Sequence, residues 1–193
     1  MNLNDENLDT IKKYSINKLT FVQTITEQEV SKVISKIAQK INEDYKGKQP
    51  CFLITMKGAI FFGVDLLRQI ELPCTLDIIS VKSYGEKMQN HPSDISIYYE
   101  NLNLKGKDVI LVEDIIDTGY TLEKLLKTLE QFQPKSISVA SLVAKPEKYC
   151  VNVRIDYLGF SLPSNFIIGS GMDFNEQGRN LKGIYSLENL ENN

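Results

Sequence analysis

The segment VILVEDIIDTGYT, residues 109–121, joins a hydrophobic run to an acidic cluster and a glycine turn. Its first four residues are apolar, and the nine that follow include three acids, one glycine and two threonines. A short apolar run of this kind is typical of a strand that is covered on both faces of a parallel sheet. A helical pattern follows over residues 121–132. The segment therefore predicts a central strand over 108–112 that leads through acidic residues into a helix.

The rest of the chain alternates between strands and helices in the same way. A capping box, formed by Thr26 and Glu29, begins the first predicted helix, and Gly47 is a suitable terminator. Further strands are predicted at 51–56, 75–81, 95–99 and 136–143, and a further helix at 59–70. Strands that alternate with helices of this length imply crossover connections. We therefore expect an α/β fold with a mainly parallel central sheet flanked by helices.

Both ends of the chain depart from this pattern. After residue 145 come short β runs, IDYLGF (155–160) and FIIG (166–169), which predict a small C-terminal hood subdomain. Residues 1–20 are polar without clear periodicity, and we expect a loose arm or a short helix there. A chain of 193 residues is long enough for one substantial core. We expect a single domain, with a core of about 21–144 and a hood of about 145–193, with or without part of the N-terminal arm.

The composition argues against several classes of protein. The formal net charge of −3 disfavours a nucleic-acid binder driven by overall electrostatics. No window approaches the ~18 apolar residues of a membrane span. The three cysteines are odd in number and well separated, so we expect buried, reduced thiols and a cytoplasmic location. The single histidine, His91, lies in a polar loop and is expected to be a surface residue.

The acids after the central strand predict a binding site. In open parallel sheets, ligands bind beyond the carboxyl ends of the strands, where Glu113 and Asp114 are expected. The following DTGYT offers two hydroxyls, a permissive glycine and the amides of a helix N-terminus, which together form an anion cradle. A phosphorylated sugar with a cation would suit both halves. The alternative is that Asp117 or Thr118 merely caps the helix.

A family resemblance sharpens this interpretation. VILVEDIIDTGYTL resembles the phosphoribosyl-pyrophosphate-binding motif of purine phosphoribosyltransferases, in particular the hypoxanthine(-guanine) enzymes. Five further pieces match in the family's order: MKGAIFFGVDLL (56–67), KSYG (82–85), SLVAKP (141–146), YLGFSLPSNFIIGSGMDFNE (157–176) and GRNL (178–181). The resemblance extends over about residues 43–181. It implies the type I phosphoribosyltransferase fold.

The resemblance also implies a reaction. The 5-phosphoribosyl group of phosphoribosyl pyrophosphate is transferred to N9 of a 6-oxopurine, hypoxanthine or guanine, which gives IMP or GMP and pyrophosphate in purine salvage. Mg²⁺ on the pyrophosphate is the expected cofactor, because it acts as Lewis acid and template. No nucleic-acid partner and no membrane are expected. The family's homodimers and homotetramers set the expectation for oligomeric state.

Roles in the central motif follow from the matching positions. Glu113 and Asp114 would reach the ribose hydroxyls and their Mg²⁺. Asp117 would take or share the purine N7 proton as general base. The 5′-phosphate would be held by the amides and hydroxyls of Asp117, Thr118, Gly119, Tyr120 and Thr121. Tyr120 stands where relatives often have lysine or leucine, and its side chain has no assigned task.

The pyrophosphate would be held by residues from three other matching pieces. Lys57 and Gly58 match the pyrophosphate loop, in which the family has a non-proline cis peptide, here between Met56 and Lys57. The remaining members of this set are Ser83 and Tyr84 of the lid, and Arg179. The sequence departs from relatives after Tyr84, so the length and ordering of the lid stay open.

The purine would be bound from the C-terminal pieces. Lys145 carries only donors, so it favours an oxo group at purine C6 over the amino group of adenine. Phe166 would stack on the ring, and the backbone of Ile167 would bind its edge. Asp173 would line the base pocket and bind a second Mg²⁺.

Three alternatives differ in what the site does. An RNA-binding or nucleotide-sensing regulator on the same scaffold is one, because fold does not settle function. Asp117, Lys145 and the lack of a basic excess count against it. A second alternative is the same scaffold acting on adenine or orotate. A third is a receiver-type phosphoacceptor domain, which the GYT turn and the hood disfavour.

Overall fold

The computed structural model describes residues 12–83 and 95–188, which form two sheets. The larger sheet has six strands in the order β5-β4-β3-β6-β7-β8. All neighbouring pairs are parallel except β4 with β5. Its strands are β3 (Cys51–Met56), β4 (Thr75–Ser83), β5 (Ile95–Tyr98), β6 (Asp108–Ile116), β7 (Ser136–Ala144) and β8 (Tyr157–Ser161). The prediction of a mainly parallel α/β sheet is confirmed.

Helices cover both faces of this sheet. They are α1 (Glu27–Asp44), α2 (Ile60–Leu67) and α3 (Tyr120–Glu130). In β6, Ile110 and Val112 pack in one hydrophobic cluster with α1 and α2, and Val109 and Leu111 pack in a second cluster with α3. Successive side chains of a strand alternate between faces, so an unbroken apolar run fits a strand buried on both sides.

The smaller sheet joins the two ends of the chain. Its strands are β1 (Lys13–Ile16), β2 (Leu19–Ile25), β9 (Ile167–Ile168) and β10 (Ile184–Leu187), in the order β1-β2-β10-β9. It has its own small core around Phe21 and Ile168. We call this sheet, together with the connection 169–183, the hood. The capping box of Thr26 and Glu29 at the start of α1 is present as predicted.

Several element predictions are wrong. The N-terminal region forms strands from Lys13 onward, because β2 pairs with the distant β10. The run containing Tyr157 belongs to the large sheet as β8, because it pairs in parallel with β7. β6 extends past residue 112, since Ile115 and Ile116 continue its pairing with β7.

The cysteines are free, but only Cys51 is buried; Cys74 and Cys150 are exposed, so the prediction of buried thiols is wrong for these two. His91, Tyr84 and most of the predicted lid lie outside the described residues. Within residues 12–83 and 95–188, we find no helix with the length and apolar character needed to span a membrane.

Candidate active site

A cleft of about 350 Å³ lies at the carboxyl ends of β3 and β6 and is closed on one side by the hood. Ten of the predicted site residues line it: Lys57, Gly58, Glu113, Asp114, Asp117, Thr118, Gly119, Thr121, Asp173 and Arg179. Four parts of the sequence that are far apart along the chain therefore meet at one place. Parallel strands that end at one edge of a sheet bring their following loops together.

Glu113 and Asp114, which we call the acid pair, lie in the last part of β6 rather than in a loop after the strand. Glu113 is buried, and its Oε1 accepts a hydrogen bond of 3.0 Å from Thr55 Oγ1 on the neighbouring β3. Burial, and then the charge of Asp114, raise the pKa of Glu113 to about 8. Burial also raises the pKa of Asp114 to about 6, although backbone hydrogen bonds and Arg179 act in the opposite direction. Two acids that resist ionisation in the same cleft would be stabilised by a bound cation.

The carboxylates of the cleft fit a Mg²⁺ site that has few protein ligands. Among the described residues, no three carboxylate, histidine or cysteine groups are clustered closely enough to hold a metal by themselves. Asp173 is near enough for its charge to raise the pKa of Asp114, but its Oδ1 pairs with Arg179 at 2.8 Å. Mg²⁺ commonly takes one or two carboxylates and completes its octahedron with water and substrate oxygens. The acid pair fits such a sparse site.

The turn after β6 has the geometry that an anion cradle requires. Gly119 precedes α3 with φ of 89°, a left-handed conformation that an L residue adopts at a cost. A Cβ at Gly119 would also collide with the side chains of Val151 and Val153. No side chain in the described part of the chain caps α3, so the first amides of the helix remain available for an anion.

Asp117 faces two lysines. Its Oδ2 accepts a hydrogen bond of 2.6 Å from Lys148 Nζ, and its Oδ1 is buried without a hydrogen-bond partner among the described residues. Lys145 is buried at the end of β7, outside the cleft lining, with its backbone N–H bonded to Ile116 O. Burial lowers the pKa of Lys145, while the charge of Asp117 raises it. The predicted base and the predicted C6 donor are therefore electrostatically coupled.

The opposite wall of the cleft carries two cations. The peptide bond between Met56 and Lys57 is cis, as predicted. Arg179 Nη1 donates to Gly171 O at 2.9 Å, and its Nη2 pairs with Asp173. Lys57 Nζ lies 3.1 Å from the carboxylate of Glu176. Only glycine fits at position 58, because a Cβ there would collide with the carboxylate of Asp114.

Of the predicted purine-binding residues, Asp173 is part of the cleft lining, whereas Lys145, Phe166 and Ile167 are not. Phe166 is 44% exposed and forms an aromatic cluster with Phe21 and Phe174, at centroid distances of 6.3 and 5.7 Å. Ile167 is buried in β9. Ser83 is the last residue of β4.

Tyr120 begins α3 and does not line the cleft. The pKa of its phenol is raised first by the charge of Cys150, with which it also shares a hydrogen bond. The side chain that had no assigned task therefore contacts the chain segment after β7.

Sequence reasoning missed three polar contacts of the site. Thr55 is the one hydroxyl in the otherwise apolar strand segment CFLITM. Lys148 and Glu176 follow Lys145 and Asp173 by three residues each, in KPEK and DFNE. The charge of Lys148 and Glu176, close in sequence to predicted site residues, could have indicated a role in the site. The residues that they contact are seen only in the folded structure.

Comparisons with known proteins agree with this geometry. Residues 22–176 match the model of the phosphoribosyl transferase domain family. A hypoxanthine phosphoribosyltransferase of Haemophilus influenzae is 35% identical over 175 residues, which cover 89% of this chain and 94% of that protein. The chain belongs to the phosphoribosyltransferase family. Within it, the chain groups with the hypoxanthine and hypoxanthine-guanine enzymes, as the sequence resemblance predicted.

Solved structures give the same result. A hypoxanthine-guanine phosphoribosyltransferase from Bacillus anthracis has a TM-score of 0.81 and 34% identity, covering 86% of this chain and 98% of that one. A hypoxanthine phosphoribosyltransferase from Staphylococcus aureus has a TM-score of 0.82 and 25% identity, covering 97% of both chains. These relatives are transferases of a pentosyl group, which confirms the predicted enzyme class and does not support the regulator.

Proposed function

We propose that this chain transfers the 5-phosphoribosyl group of phosphoribosyl pyrophosphate to N9 of hypoxanthine, giving IMP and pyrophosphate in purine salvage. The observation that carries the proposal is the single cleft in which the acid pair and the glycine turn of one wall face Lys57 and Arg179 of the other. Guanine is proposed as a second acceptor, because a relative of similar identity is a hypoxanthine-guanine enzyme.

The cleft can bind the donor along its length. The amides and hydroxyls of Asp117, Thr118, Gly119, Tyr120 and Thr121 would hold the 5′-phosphate at the start of α3. Glu113 and Asp114 would accept hydrogen bonds from the ribose hydroxyls. The pyrophosphate would lie toward Lys57, Gly58 and Arg179, where the guanidinium fork suits phosphate oxygens. This orientation would place C1 of the ribose in the middle of the cleft.

Magnesium belongs to the same proposal. Glu113 and Asp114 would hold one Mg²⁺ together with substrate oxygens, and Asp173 is proposed to contact a second. When bound, Mg²⁺ would neutralise charge on the leaving pyrophosphate. The fit rests on the buried acid pair, whose pKa values are raised first by burial.

The acceptor purine would be oriented by Asp117 of the cleft lining and by residues next to the cleft. Asp117 would take the N7 proton as general base, and Lys145 would donate to the C6 oxygen. The nearby charges of these two residues support their acting on one small base. Phe166 and Ile167 are proposed to stack on the ring and to bind its edge. Ser83 and Tyr84 are proposed to cover the pyrophosphate as part of a lid.

Three further features of the protein are proposed from the family resemblance. We propose one domain over residues 1–193, and the pairing of β2 with β10 supports a hood that includes part of the N-terminal arm. We propose a homodimer or homotetramer, supported by the exposed side chains of Ile60, Phe61 and Val64 along α2. A cytoplasmic location is proposed on the three free thiols.

An assay with four bases tests the proposed function. The protein is incubated with phosphoribosyl pyrophosphate and hypoxanthine, guanine, xanthine or adenine, with Mg²⁺ or with a chelator, and nucleotide formation is followed. We expect IMP with hypoxanthine and Mg²⁺, and no AMP, because the ammonium of Lys145 cannot accept a hydrogen bond from the adenine amino group. Failure to form nucleotide from any 6-oxopurine would refute the proposal.

A further inference from the structure

Glu176 connects the two cations that face the pyrophosphate end of the cleft. Its Oε2 accepts a hydrogen bond of 3.1 Å from Lys57 Nζ on the core loop. The same oxygen lies 3.4 Å from Arg179 Nη2 in the hood. A single carboxylate oxygen therefore bridges the two positive groups to which the proposed function assigns the pyrophosphate.

The backbone of the hood presents Glu176 in this place. The backbone N–H of Glu176 donates to Asp173 Oδ2 at 2.8 Å. Asn175 and Glu176 both have left-handed conformations, with φ of 51° and 63°, inside a turn closed by the pairing of Phe174 with Gln177. The turn holds the main chain, while the Glu176 side chain reaches across to the core.

The bridge is charged, and it is open to solvent at Lys57 and Glu176, whereas the Arg179 side chain is 21% exposed and also pairs with Asp173. The hydrogen bond from Lys57, followed by the charge of Arg179, lowers the pKa of Glu176, so the group is an anion at neutral pH. The side chains of Lys57 and Glu176 are 66% and 65% exposed. Exposed ion pairs contribute little to stability and exchange readily. A stronger anion can therefore take the place of the carboxylate.

We propose that Glu176 is an internal competing anion that occupies Lys57 and Arg179 in the free protein and must leave them before the pyrophosphate group binds. This inference rests on the proposed function. A ligand that binds only the open state has an apparent dissociation constant equal to its intrinsic value divided by the fraction of open protein. Glu176 thus weakens the binding of pyrophosphate and, when pyrophosphate is the product, assists its release.

A purely structural role for Glu176 predicts the opposite effect. If the bridge only joins the hood to the core loop, its loss leaves Lys57 and Arg179 less well positioned. Pyrophosphate would then bind more weakly. The sign of the change in affinity distinguishes the two roles.

The test measures binding of inorganic pyrophosphate, with Mg²⁺, by titration calorimetry in four proteins: the wild type, Glu176→Gln, Glu176→Asp and Glu188→Gln. We expect Glu176→Gln to lower the apparent dissociation constant by about threefold to tenfold, as the loss of a weak competing pair implies. Glu176→Asp should tighten binding in the same direction. It keeps the charge, but it is one methylene too short to hold the bridge, and aspartate tolerates the left-handed backbone.

Glu188→Gln is the matched control. Glu188 pairs with Lys13 at 2.6 Å on the hood, away from the residues that line the cleft. Removal of this carboxylate should leave the affinity for pyrophosphate unchanged. Thermal unfolding of each variant checks that the hood is intact.

Three outcomes would overturn the inference. Unchanged or weaker binding by Glu176→Gln excludes competition. Tighter binding by Glu176→Gln together with wild-type binding by Glu176→Asp would mean that charge acts at a distance without the bridge. If the wild type shows no detectable binding of pyrophosphate, Lys57 and Arg179 do not form a pyrophosphate site.

IMP formation by the wild type is measured alongside and separates the two claims. If IMP forms and the variants bind pyrophosphate as the wild type does, only the inference about Glu176 fails. If pyrophosphate binding tightens as expected and no 6-oxopurine reacts, only the proposed function fails.

Discussion

Asp117 is the residue on which the proposed chemistry depends most directly. One carboxylate oxygen accepts from Lys148, and the other is buried without a partner among the described residues. A buried acceptor left without a donor is costly, so the arrangement fits an oxygen that receives a proton or an N–H from a ligand. The side chain is thus held by one lysine, while its second oxygen has no donor among the described residues.

Replacement of Asp117 by asparagine should lower kcat for IMP formation by ~10²–10⁴-fold, because an amide cannot accept the N7 proton. Steady-state kinetics with saturating phosphoribosyl pyrophosphate measures the effect. Asp65→Asn, which removes an exposed carboxylate of α2, is the control and should leave kcat unchanged. A kcat for Asp117→Asn equal to that of the wild type would remove the role of general base.

The acid pair should make stability depend on pH in an uncommon direction. The unfolded chain ionises Glu113 and Asp114 near their ordinary pKa values of 4.5 and 3.8, whereas the folded protein does so near 8 and 6. Between these limits the folded state binds more protons, so the free energy of unfolding falls as pH rises. Glu29, Asp108 and Glu176 have lowered pKa values, so they make the free energy of unfolding rise with pH. Their effect lies in more acidic solution.

Thermal unfolding with a chelator present should therefore give a Tm that decreases from pH 5 to pH 8. Glu113→Gln should flatten this dependence and raise Tm at pH 8, because the amide keeps an acceptor for Thr55 without a buried charge. Glu188→Gln, on an exposed carboxylate, should follow the wild type. A wild-type Tm that rises steadily from pH 5 to pH 8 would contradict the prediction.

The sequence identified most of the residues that meet in the cleft, but not their partners. Glu113, Asp117 and Arg179 belong to short motifs with strict local spacing, which a linear pattern can reveal. The contact of Thr55 with Glu113 joins residues 58 positions apart, and that of Lys57 with Glu176 joins residues 119 apart. Such pairs depend on strand register and on the position of the hood, which no local pattern encodes.

At the scale of elements, the loop between β3 and α2 must approach β6 closely. A Cβ at Gly58 would collide with the Asp114 carboxylate, and a Cβ at Gly171 in the hood would collide with the carbonyl oxygen of Gly58. Three segments are thus closely packed here, with Gly171 against the backbone of Gly58 and Gly58 against the side chain of Asp114. This packing requires glycine at position 58, and at position 171 it adds to the demand of a left-handed φ of 105°.

Gly58→Ala should therefore displace Asp114 and reduce kcat/KM for phosphoribosyl pyrophosphate by at least about tenfold, as misplacement by ~1 Å is known to do. Gly106→Ala is the matched control. A Cβ at position 106 would meet no atom within 4 Å, but the backbone there has a φ of 69°. The substitution should therefore lower stability and leave kcat/KM unchanged. Kinetics and thermal unfolding of both variants decide the matter, and an unaffected kcat/KM in Gly58→Ala would disprove the packing argument.

The boundaries of helices and strands can be predicted where neighbouring residues alone determine them. The capping box fixed the start of α1, and CFLITM fixed β3 to its exact bounds. The end of β6 was misjudged because the acids after Val112 resemble a loop, although Ile115 and Ile116 keep pairing with β7. β2 is not predictable from its local pattern because its partner β10 is about 160 residues away along the chain, and β1 pairs in turn with β2.

For the whole molecule, the cleft is a junction between the large sheet and the hood. Its lining includes Thr55 of β3, Asp114 of β6 and Arg179 of the hood, so a ligand that spans it contacts the large sheet and the hood at once. Binding to the folded state alone stabilises it by about 2.7 kcal/mol at a ligand concentration one hundred times Kd. For a chain of this length, 1 kcal/mol corresponds to roughly 2–4 °C in Tm.

Phosphoribosyl pyrophosphate with Mg²⁺ should accordingly raise Tm by roughly 5–11 °C under those conditions. The same ligand with a chelator should raise it much less, because the acid pair then faces the substrate oxygens without an intervening cation. Ribose 5-phosphate, which lacks the pyrophosphate, is the matched ligand and should give a small shift that depends little on Mg²⁺, since it occupies mainly the cradle at α3. Equal shifts with Mg²⁺ and with chelator would place the metal outside this cleft, and the roles of Glu113 and Asp114 would then be limited to the ribose.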